Sequence, residues 1–355
     1  MTESTTDNGR RTTTTPANRR TKAKMTSFAP RSSPLTVRSA CAKIILCGEH
    51  AVVYGRPAIA LPLPQLRAFA SVQLARERIE IHAPDIHVRF FVDEQLHDPL
   101  AQVTQLTINH VLSRITLPMG APFPAPFTLQ VRSDIPVSSH LGSGAAVSVA
   151  CARAIAAHLG CELSADEASA IAFEVEKLHH GTPSGIDNTV IAYEQPVWFV
   201  KGSSVEVLTM SEGQALSDSR SSIVHRLVIA DTGISTPTRI PVGQVRVGWE
   251  SDPVRFERCF DEIAQLAIQA RQALQMGDWA SVGEAMNANH ALLQWLDVSS
   301  PALDQLCDAA RAAAALGAKM SGGGRGGNMI ALARDEAHAD ELRRALMNAG
   351  AVRAF

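Results

Sequence analysis

Residues Pro136 to Ala146 read Pro-Val-Ser-Ser-His-Leu-Gly-Ser-Gly-Ala-Ala, a loop of mostly small residues that leads directly into an alanine-rich segment. Residues 143–159 have the composition and apolar spacing of a helix, and Gly160 is a typical helix end. The first N–H groups of a helix have no partner inside the helix, and small neighbours leave them accessible. The segment therefore predicts a site for a phosphate group, although a small-residue turn on its own could equally serve close packing.

No segment of the sequence matches GxxxxGK[ST], the pattern of the usual P-loop. A Walker-type phosphate site is therefore excluded, and the loop at 136–146 has to be judged together with the rest of the chain. Two other segments carry chemically informative residues, one before this loop and one after it.

The segment before the loop contains a lysine inside an apolar run. Lys43 lies in a stretch, 41–46, whose composition predicts a short buried strand. A buried ammonium group is costly unless an opposite charge lies beside it. The alternative is a lysine at a sheet edge whose side chain reaches solvent. The strand is followed by Gly48-Glu-His-Ala-Val-Val-Tyr-Gly55.

The segment after the loop reads His180-Gly-Thr-Pro-Ser-Gly-Ile-Asp-Asn188. Its Pro-Ser-Gly predicts a tight turn, which would give the carboxylate of Asp187 a fixed direction. Asp187 is thus a natural partner for Lys43 and a candidate to accept the proton of a substrate hydroxyl, whose pKa the ammonium would lower. The alternative is an aspartate that caps a helix. Glu176, on the preceding predicted helix, and Ser143 offer the hard oxygen ligands that Mg²⁺ prefers.

Taken together, the three segments resemble the mevalonate kinases, part of the small-molecule kinase family that also includes galactokinase, homoserine kinase and phosphomevalonate kinase. The family pattern at the loop is close to P-x-x-x-G-L-G-S-S-A-A, and it is matched by Pro136, Leu141, Gly142, Ser143, Ala145 and Ala146. Ser138 and His140 stand where glycines are common, and Gly144 replaces the second serine. In the family a serine of this pair helps to hold Mg²⁺, so that only Ser143 is left for that role.

The resemblance implies an ATP-dependent kinase that phosphorylates the 5-hydroxyl of mevalonate in isoprenoid precursor synthesis, with Mg²⁺ as the cofactor. The implied catalytic residues are Asp187 and Lys43, and the implied metal ligands are Ser143 and Glu176. The residues implied to contact mevalonate are Lys43, Glu49, His50, Asp187 and Thr238. The residues implied to lie along the ATP phosphates are Pro136, Ser138, Ser139, His140, Leu141, Gly142, Ser143, Gly144 and Ala145.

Three further segments fit the same resemblance. Glu49 and His50 belong to a Gly-Glu-His motif shared with galactokinase, and they are implied to contact the hydroxyl and carboxylate ends of mevalonate. Thr238 follows Asp-Thr-Gly at the spacing of a family segment near the substrate. The run from Gly317 to Gly327 resembles the family's third glycine-rich motif, in which Arg325 could either reach a phosphate or face solvent. A fourth segment, residues 287–290, predicts helix packing rather than chemistry.

The order of predicted elements is that of an α+β protein, because strands and helices follow one another without regular βαβ alternation. Predicted strands include 41–46, 127–133, 190–193, 227–231 and 328–333. Predicted helices include 164–178, 254–276, 278–296, 301–316 and 337–348. The resemblance implies a two-domain small-molecule kinase fold with the active site in the cleft between the domains. We expect an N-terminal kinase domain over 37–215 and a C-terminal kinase domain over 216–355, connected near 211–222.

Composition limits the class of protein further. The 355 residues are 46% hydrophobic and 19% charged, as in soluble enzymes, and the net charge of −2 indicates neither a nucleic-acid nor a membrane partner. The six cysteines lack metal-like spacing, which favours a cytoplasmic protein, and the twelve histidines form no HExxH motif. We therefore expect only small-molecule partners and no zinc site. The resemblance adds the expectation of a homodimer.

Residues 1–36 are predicted to form a disordered basic tail rich in Thr, Ser and Arg, because they contain too few apolar side chains to offset the entropy lost on ordering. Arg10-Arg11 and Arg19-Arg20 lack the hydrophobic segment that a twin-arginine signal needs. A transit peptide and a true start at Met25 are the alternatives.

Two other functions stand beside mevalonate phosphorylation. One is a kinase of the same fold that acts on phosphomevalonate or a sugar. The other is a catalytically silent relative that binds ligand as a regulatory module. The presence of Lys43, Glu176 and Asp187 argues against the silent module, whereas the departures at His140, Gly144 and Arg325 keep it open.

Overall fold

Two long antiparallel strands form the centre of the first sheet. In the computed structural model, β1 spans Thr36–Cys47 and β2 spans Ala58–Leu74. They pair along most of their length, and Lys43 lies opposite Pro62. The side chains from Ala40 to Cys47 are all buried, whereas the start of β1 is partly exposed. The strand is therefore longer than the apolar run 41–46, because its polar first residues continue the same pairing.

Five shorter strands complete this sheet among the described residues. They are β3 (Glu80–Ala83), β4 (Val88–Phe91), β5 (Phe127–Ser133), β6 (Val197–Phe199) and β7 (Glu206–Val207). The order is β4-β3-β5-β2-β6-β7, with β1 paired to β2 outside this path. All pairs are antiparallel except β3 with β5. The strand prediction at 127–133 is confirmed to the residue.

Helices pack against this sheet and against one another. They are α1 (Pro99–Arg114), α2 (Ser143–His158), α3 (Ala165–His180) and α4 (Ile186–Tyr193). Helix α2 is central, because it contacts β1, β2, α1 and α3. The predicted capping box of α3 is confirmed: the Glu167 N–H donates to Ser164 Oγ (3.2 Å), and the Ser164 N–H donates to the Glu167 carboxylate (2.8 Å).

The prediction of a strand at 190–193 is wrong, since these residues form the last turn of α4. The helix begins after Gly185, whose φ of 93° ends the preceding turn. Val190 and Ile191 are fully buried, and α4 contacts α3 and β1. Burial of an apolar helix face has overridden the β-propensity of these branched residues.

The second sheet consists of β8 (Leu227–Asp231), β9 (Gly317–Ser321), β10 (Asn328–Leu332) and β11 (Arg353–Ala354), in the order β11-β8-β10-β9. Its strands are all antiparallel. The helices of this part of the chain are α5 (Arg239–Ser251), α6 (Pro253–Met276), α7 (Trp279–Trp295), α8 (Pro301–Ala312) and α9 (Glu336–Asn348).

In the C-terminal part of the chain, one helix and one strand were not predicted from the sequence, and one helix was predicted too long. Helix α5 contains Pro241 and Gly243, which hide its periodicity. Strand β9 lies within the glycine-rich segment and includes Gly317, where a Cβ would lie 2.3 Å from the Gly283 carbonyl oxygen of α7. Helix α8 ends at Ala312 instead of residue 316, because Ala314 takes a positive φ of 62°.

The structure describes residues 35–115, 124–136, 140–180, 183–209, 223 and 226–355, and all of them belong to one compact unit. The predicted tail up to residue 34, the connection at 211–222, and Ser138 and Ser139 lie outside these ranges. The boundary between 215 and 216 therefore stays a prediction. In the described ranges, no helix has both the length and the apolar character needed to cross a bilayer.

All six cysteines are free, and five of them are buried. Burial raises the pKa of the thiols of Cys41, Cys47, Cys151, Cys259 and Cys307 to about 12. These five side chains therefore act as small packing groups rather than as nucleophiles.

Candidate active site

A cavity of about 150 Å³ lies where the two sheets and their connecting loops meet. Seven of the residues singled out from the sequence border it, and they come from segments far apart in the chain. Of the described residues predicted along the ATP phosphates, only His140 lines it, whereas Pro136 and residues 141–145 do not. Its lining includes Lys43, Glu49, His50, His140, Glu176, residues 183–188, Thr238, Arg239, Val242, Gly322 and Gly323.

An ion pair joins two of the predicted residues inside this cavity. Lys43 Nζ lies 2.9 Å from Asp187 Oδ1. The Lys43 side chain is only 3% exposed, whereas that of Asp187 is 35% exposed and so remains open to the cavity. Asp187 is in the first turn of α4 rather than in a loop, where the helix dipole favours a negative charge. Lys43 is therefore a buried, paired lysine and not an edge lysine that reaches solvent.

The same lysine supports the loop before α2. The Lys43 N–H donates to the Leu141 carbonyl (3.0 Å). Gly142 follows with a φ of 75°, and a Cβ there would lie 2.8 Å from Ile191 Cδ1 and 3.0 Å from Lys43 Cγ. Only glycine fits this position without strain or a shift of neighbours. The loop is thereby held in a fixed position beside the ion pair.

The N-terminus of α2 offers a row of N–H groups. The first intrahelical bond runs from the Ala146 N–H to the Gly142 carbonyl (2.9 Å). The N–H groups of Ser143, Gly144 and Ala145 precede that bond and point to the helix N-terminus. Pro136 lies upstream in the described part of the loop. The arrangement suits an anionic group such as a phosphate.

Glu176 lies beside this helix terminus. A Cβ at Gly144 would be 3.2 Å from Glu176 Oε1, so the glycine allows the carboxylate to approach the backbone of α2. Burial raises the pKa of Glu176 to about 7, and the nearby Asp187 carboxylate adds to the effect while Lys43 opposes it. Two carboxylates face one ammonium group here, which leaves an excess of negative charge. Hard oxygen atoms with excess negative charge fit a divalent cation such as Mg²⁺.

Glu49 is held by a residue that sequence reasoning missed. Lys319 Nζ, on β9, donates to Glu49 Oε1 and to the Met320 carbonyl (2.6 Å). The Lys319 and Glu49 side chains are 0% and 1% exposed. Burial raises the pKa of Glu49, and Lys319 opposes this rise. The only signal in the sequence was a lysine between apolar residues in the glycine-rich segment.

His50 contributes a hydrogen-bond acceptor to the cavity. Its Nε2–H donates to the Gly323 carbonyl (3.0 Å), since a carbonyl only accepts. Burial lowers the pKa of His50 to about 4, so the ring is uncharged at neutral pH. Nδ1 is then the unprotonated nitrogen. Glu49 and His50 thus both offer acceptors, which suit hydroxyl groups better than a carboxylate.

His140 connects the loop before α2 to the glycine-rich segment. Its Nε2–H donates to the Thr236 carbonyl (2.8 Å), and a Cβ at Gly327 would lie 2.5 Å from its Nδ1. Burial lowers the pKa of His140 below its usual value of 6.5. The imidazole is therefore a neutral contact at neutral pH and adds no positive charge to the phosphate loop.

Arg325 does not line the cavity. Its Nη2 lies 2.5 Å from Asp297 Oδ2, and its Nε–H donates to the Asp297 carbonyl (3.2 Å). Of the two interpretations open from the sequence, the structure favours an arginine at a loop tip over a phosphate ligand.

Thr238 borders the cavity as the residue before α5, and Arg239 follows it in the lining. Arg239 is a second residue that sequence reasoning missed, because α5 itself was not predicted. Together with Lys43 it supplies positive charge at the described cavity wall.

Two family models match the chain: the GHMP kinases N terminal domain over residues 105–195 and the GHMP kinases C terminal region over residues 270–352. A mevalonate kinase from Thermococcus sibiricus is 35% identical over 312 residues, which cover 84% of this chain and 89% of that protein. A mevalonate kinase from Pyrococcus furiosus is 36% identical over 310 residues, with the same two coverages.

Solved structures agree with these matches. The mevalonate kinase of L. major, solved in complex with R-mevalonate, has a TM-score of 0.73 to this chain at 26% identity. The match covers 93% of this chain and 97% of that one. The α+β small-molecule kinase fold that the sequence predicts is thereby confirmed.

Proposed function

This chain belongs to the GHMP kinase family, and from that premise we propose that it transfers the γ-phosphoryl group of ATP to the 5-hydroxyl of mevalonate, giving 5-phosphomevalonate. The observation that carries the proposal is the 2.9 Å contact between Lys43 and Asp187 at a cavity beside the N-terminus of α2. The relatives at 35% and 36% identity, both named mevalonate kinase, support the choice of substrate. The reaction belongs to the mevalonate pathway of isoprenoid synthesis.

The ion pair prepares the attacking hydroxyl. Phosphoryl transfer depends mainly on positioning and on charge stabilisation, with a residue that orients the nucleophile. Asp187 accepts the hydroxyl proton, and its partly exposed carboxylate is accessible from the cavity. Lys43 holds that carboxylate in place and puts positive charge next to the oxygen on which negative charge develops.

The ATP phosphates bind at the N-terminus of α2. The N–H groups of Ser143, Gly144 and Ala145 donate to phosphate oxygens, with the helix dipole in the favourable direction. The fixed position of Gly142 over Lys43 places these groups next to the ion pair. The phosphates and the attacking hydroxyl thus meet at one place.

Glu176 and the hydroxyl of Ser143 would hold Mg²⁺. When bound, the cation neutralises charge on the phosphates. The raised pKa of Glu176 supports this assignment, because it reflects a buried carboxylate beside the carboxylate of Asp187, and a cation bound there would stabilise the charged form. Gly144 lacks the second serine hydroxyl of the family pattern, so Glu176 carries more of the binding here.

The remaining cavity residues orient mevalonate. Glu49 and His50 offer acceptors for the hydroxyl that does not react. Arg239, next to Thr238 at the start of α5, supplies the positive charge that the substrate carboxylate needs. This orientation differs from the expectation that Glu49 and His50 contact both ends of the substrate.

A coupled assay of ADP release tests the proposal. Mevalonate, phosphomevalonate, galactose and homoserine are compared for the wild type and for Asp187→Ala. Of the four compounds, we expect only mevalonate to be phosphorylated by the wild type. The rate of ADP release with mevalonate should be at least about a hundredfold lower in Asp187→Ala. Turnover on another substrate would identify a different kinase of this fold. Stabilisation by ATP and Mg²⁺ without turnover would identify a silent binding module.

A homodimer and a cytoplasmic location are part of the same proposal. The free, mostly buried cysteines support the reducing compartment. The homodimer rests on the resemblance to the mevalonate kinases.

A further inference from the structure

A fully buried ion pair connects the two sheets next to the cavity. Lys319 and Glu49 are 270 residues apart in the sequence, one on β9 and the other just after β1. Burying two charges carries a large desolvation cost, which their mutual attraction barely offsets. A pair of this kind is therefore a weak contributor to stability, and its position calls for another explanation.

The carboxylate of Glu49 is only half satisfied. Oε1 accepts from Lys319, whereas Oε2 is buried and has no hydrogen-bond partner among the described residues. Glu49 also lines the cavity, as does its neighbour His50. A buried carboxylate oxygen without a donor is costly, and a hydroxyl group placed in the cavity would remove that cost.

The strand that carries Lys319 is held firmly. The Ala318 N–H donates to Asn287 Oδ1 (2.9 Å), and the Met320 N–H donates to His290 Nδ1 (3.3 Å). Helix α7 thus fixes the backbone on both sides of Lys319, as the packing interpretation of residues 287–290 predicts. The Lys319 ammonium group also donates to the Met320 carbonyl (2.6 Å), so Lys319 is held at both its backbone and its charged end and can fix the Glu49 carboxylate.

We propose that Lys319 is a positioning residue, which holds Glu49 so that Oε2 accepts the 3-hydroxyl of mevalonate. This inference rests on the proposed function, because Asp187 is assigned there to the reacting 5-hydroxyl. Lys319 itself does not touch the substrate. By holding Glu49 in place, it favours substrates that carry a second hydroxyl group.

The test compares mevalonate with 5-hydroxy-3-methylpentanoate, which lacks the 3-hydroxyl. We expect the wild type to prefer mevalonate in kcat/KM by roughly ten- to hundredfold, the value of one hydrogen bond to a charged group. In Lys319→Met, KM for mevalonate should rise so that most of this preference is lost. KM for ATP should stay unchanged. Lys319→Arg should keep it, and the exposed control Lys201→Met should match the wild type.

The outcomes separate the two proposals. A wild type that does not phosphorylate mevalonate overturns the proposed function and this inference with it. A wild type that does, together with a Lys319→Met variant that keeps the preference or slows both substrates equally, overturns this inference alone. If Lys319→Met does not fold, the double variant Lys319→Met/Glu49→Met removes both charges at once. That variant should lack the preference, and its retention would also overturn the inference.

Discussion

Gly144 lies directly against Glu176, so that a side chain at position 144 would require a small shift of the carboxylate. A Cβ at this position would be 3.2 Å from Glu176 Oε1. The Glu176 carboxylate of the proposed metal site therefore packs against the position at which the family pattern has its second serine.

Gly144→Ala should weaken Mg²⁺ binding, because the methyl group crowds the Glu176 carboxylate. We expect a rise of roughly fivefold in the Mg²⁺ concentration for half-maximal activity, equivalent to about 1 kcal/mol of crowding. Gly144→Ser should be affected less, since its hydroxyl can donate to the carboxylate or reach the metal. Magnesium titrations at saturating ATP measure both, and an unchanged requirement in the alanine variant would contradict the contact.

Magnesium binding should weaken as pH falls below about 7, because Glu176 binds a proton there instead of the cation. The measurement is the Mg²⁺ requirement between pH 6 and 8. In Glu176→Gln the requirement should be high at every pH, without this slope. A wild-type profile as flat as that of the variant would remove Glu176 from the metal site.

The Glu176 carboxyl also makes the stability of the protein depend on pH when divalent cations are absent. The folded protein binds an extra proton between the ordinary glutamate value of 4.5 and about 7. Stability should therefore fall as pH rises through this window, by on the order of 3 kcal/mol. Glu176→Gln should match the wild type near pH 4 and exceed it near pH 8 in urea unfolding. A variant less stable than the wild type at pH 8 would oppose this assignment.

Gly142→Ala should destabilise the protein more than Gly277→Ala, although both glycines have nearly the same φ, 75° and 71°. The strain of a left-handed conformation, about 1 kcal/mol, applies to both. Only Gly142 has neighbours in the way, whereas nothing lies within 4 Å of a Cβ at Gly277. We expect a further cost of about 1–3 kcal/mol at position 142 in urea unfolding. Equal losses of unfolding free energy in the two variants would show that the neighbours of Gly142 move aside at no cost.

Arg239→Ala should raise KM for mevalonate roughly ten- to hundredfold and leave KM for ATP within a factor of two, because it removes the charge assigned to the substrate carboxylate. Initial rates with each substrate varied in turn give both constants. Arg325→Ala is the matched control, since that arginine pairs with Asp297 away from the cavity. Equal effects of the two variants would locate the carboxylate elsewhere.

The ion pair between Lys43 and Asp187 could be predicted from the sequence because each residue restricts which partners the other can have. A lysine in an apolar strand requires a negative charge nearby, and an aspartate after a tight turn has a direction. The capping box of α3 was equally local, since four consecutive residues contain the whole signal. Predictions of this kind succeed where a physical demand is visible within one short segment.

Lys319 could not be assigned in this way. Its partner Glu49 is 270 residues earlier, and because β9 was not predicted as a strand, the glycine-rich segment did not indicate that its lysine is buried. Helix α5 was missed because Pro241 and Gly243 interrupt its pattern, and Arg239 was missed with it. The strand prediction at 190–193 is wrong for the opposite reason, because local propensity there yields to burial. These features depend on tertiary packing, which a single sequence does not display.

The contact of His140 with Thr236 and the bond between Glu49 and Lys319 both cross from one half of the molecule to the other. The hydrogen bond from His50 to the Gly323 carbonyl is a third such contact, so the two sides of the cavity cannot separate without breaking these contacts and the buried ion pair. We therefore expect the cavity to be preformed and to select among small alcohols without domain closure. The two sides of the cavity should move as one rigid body.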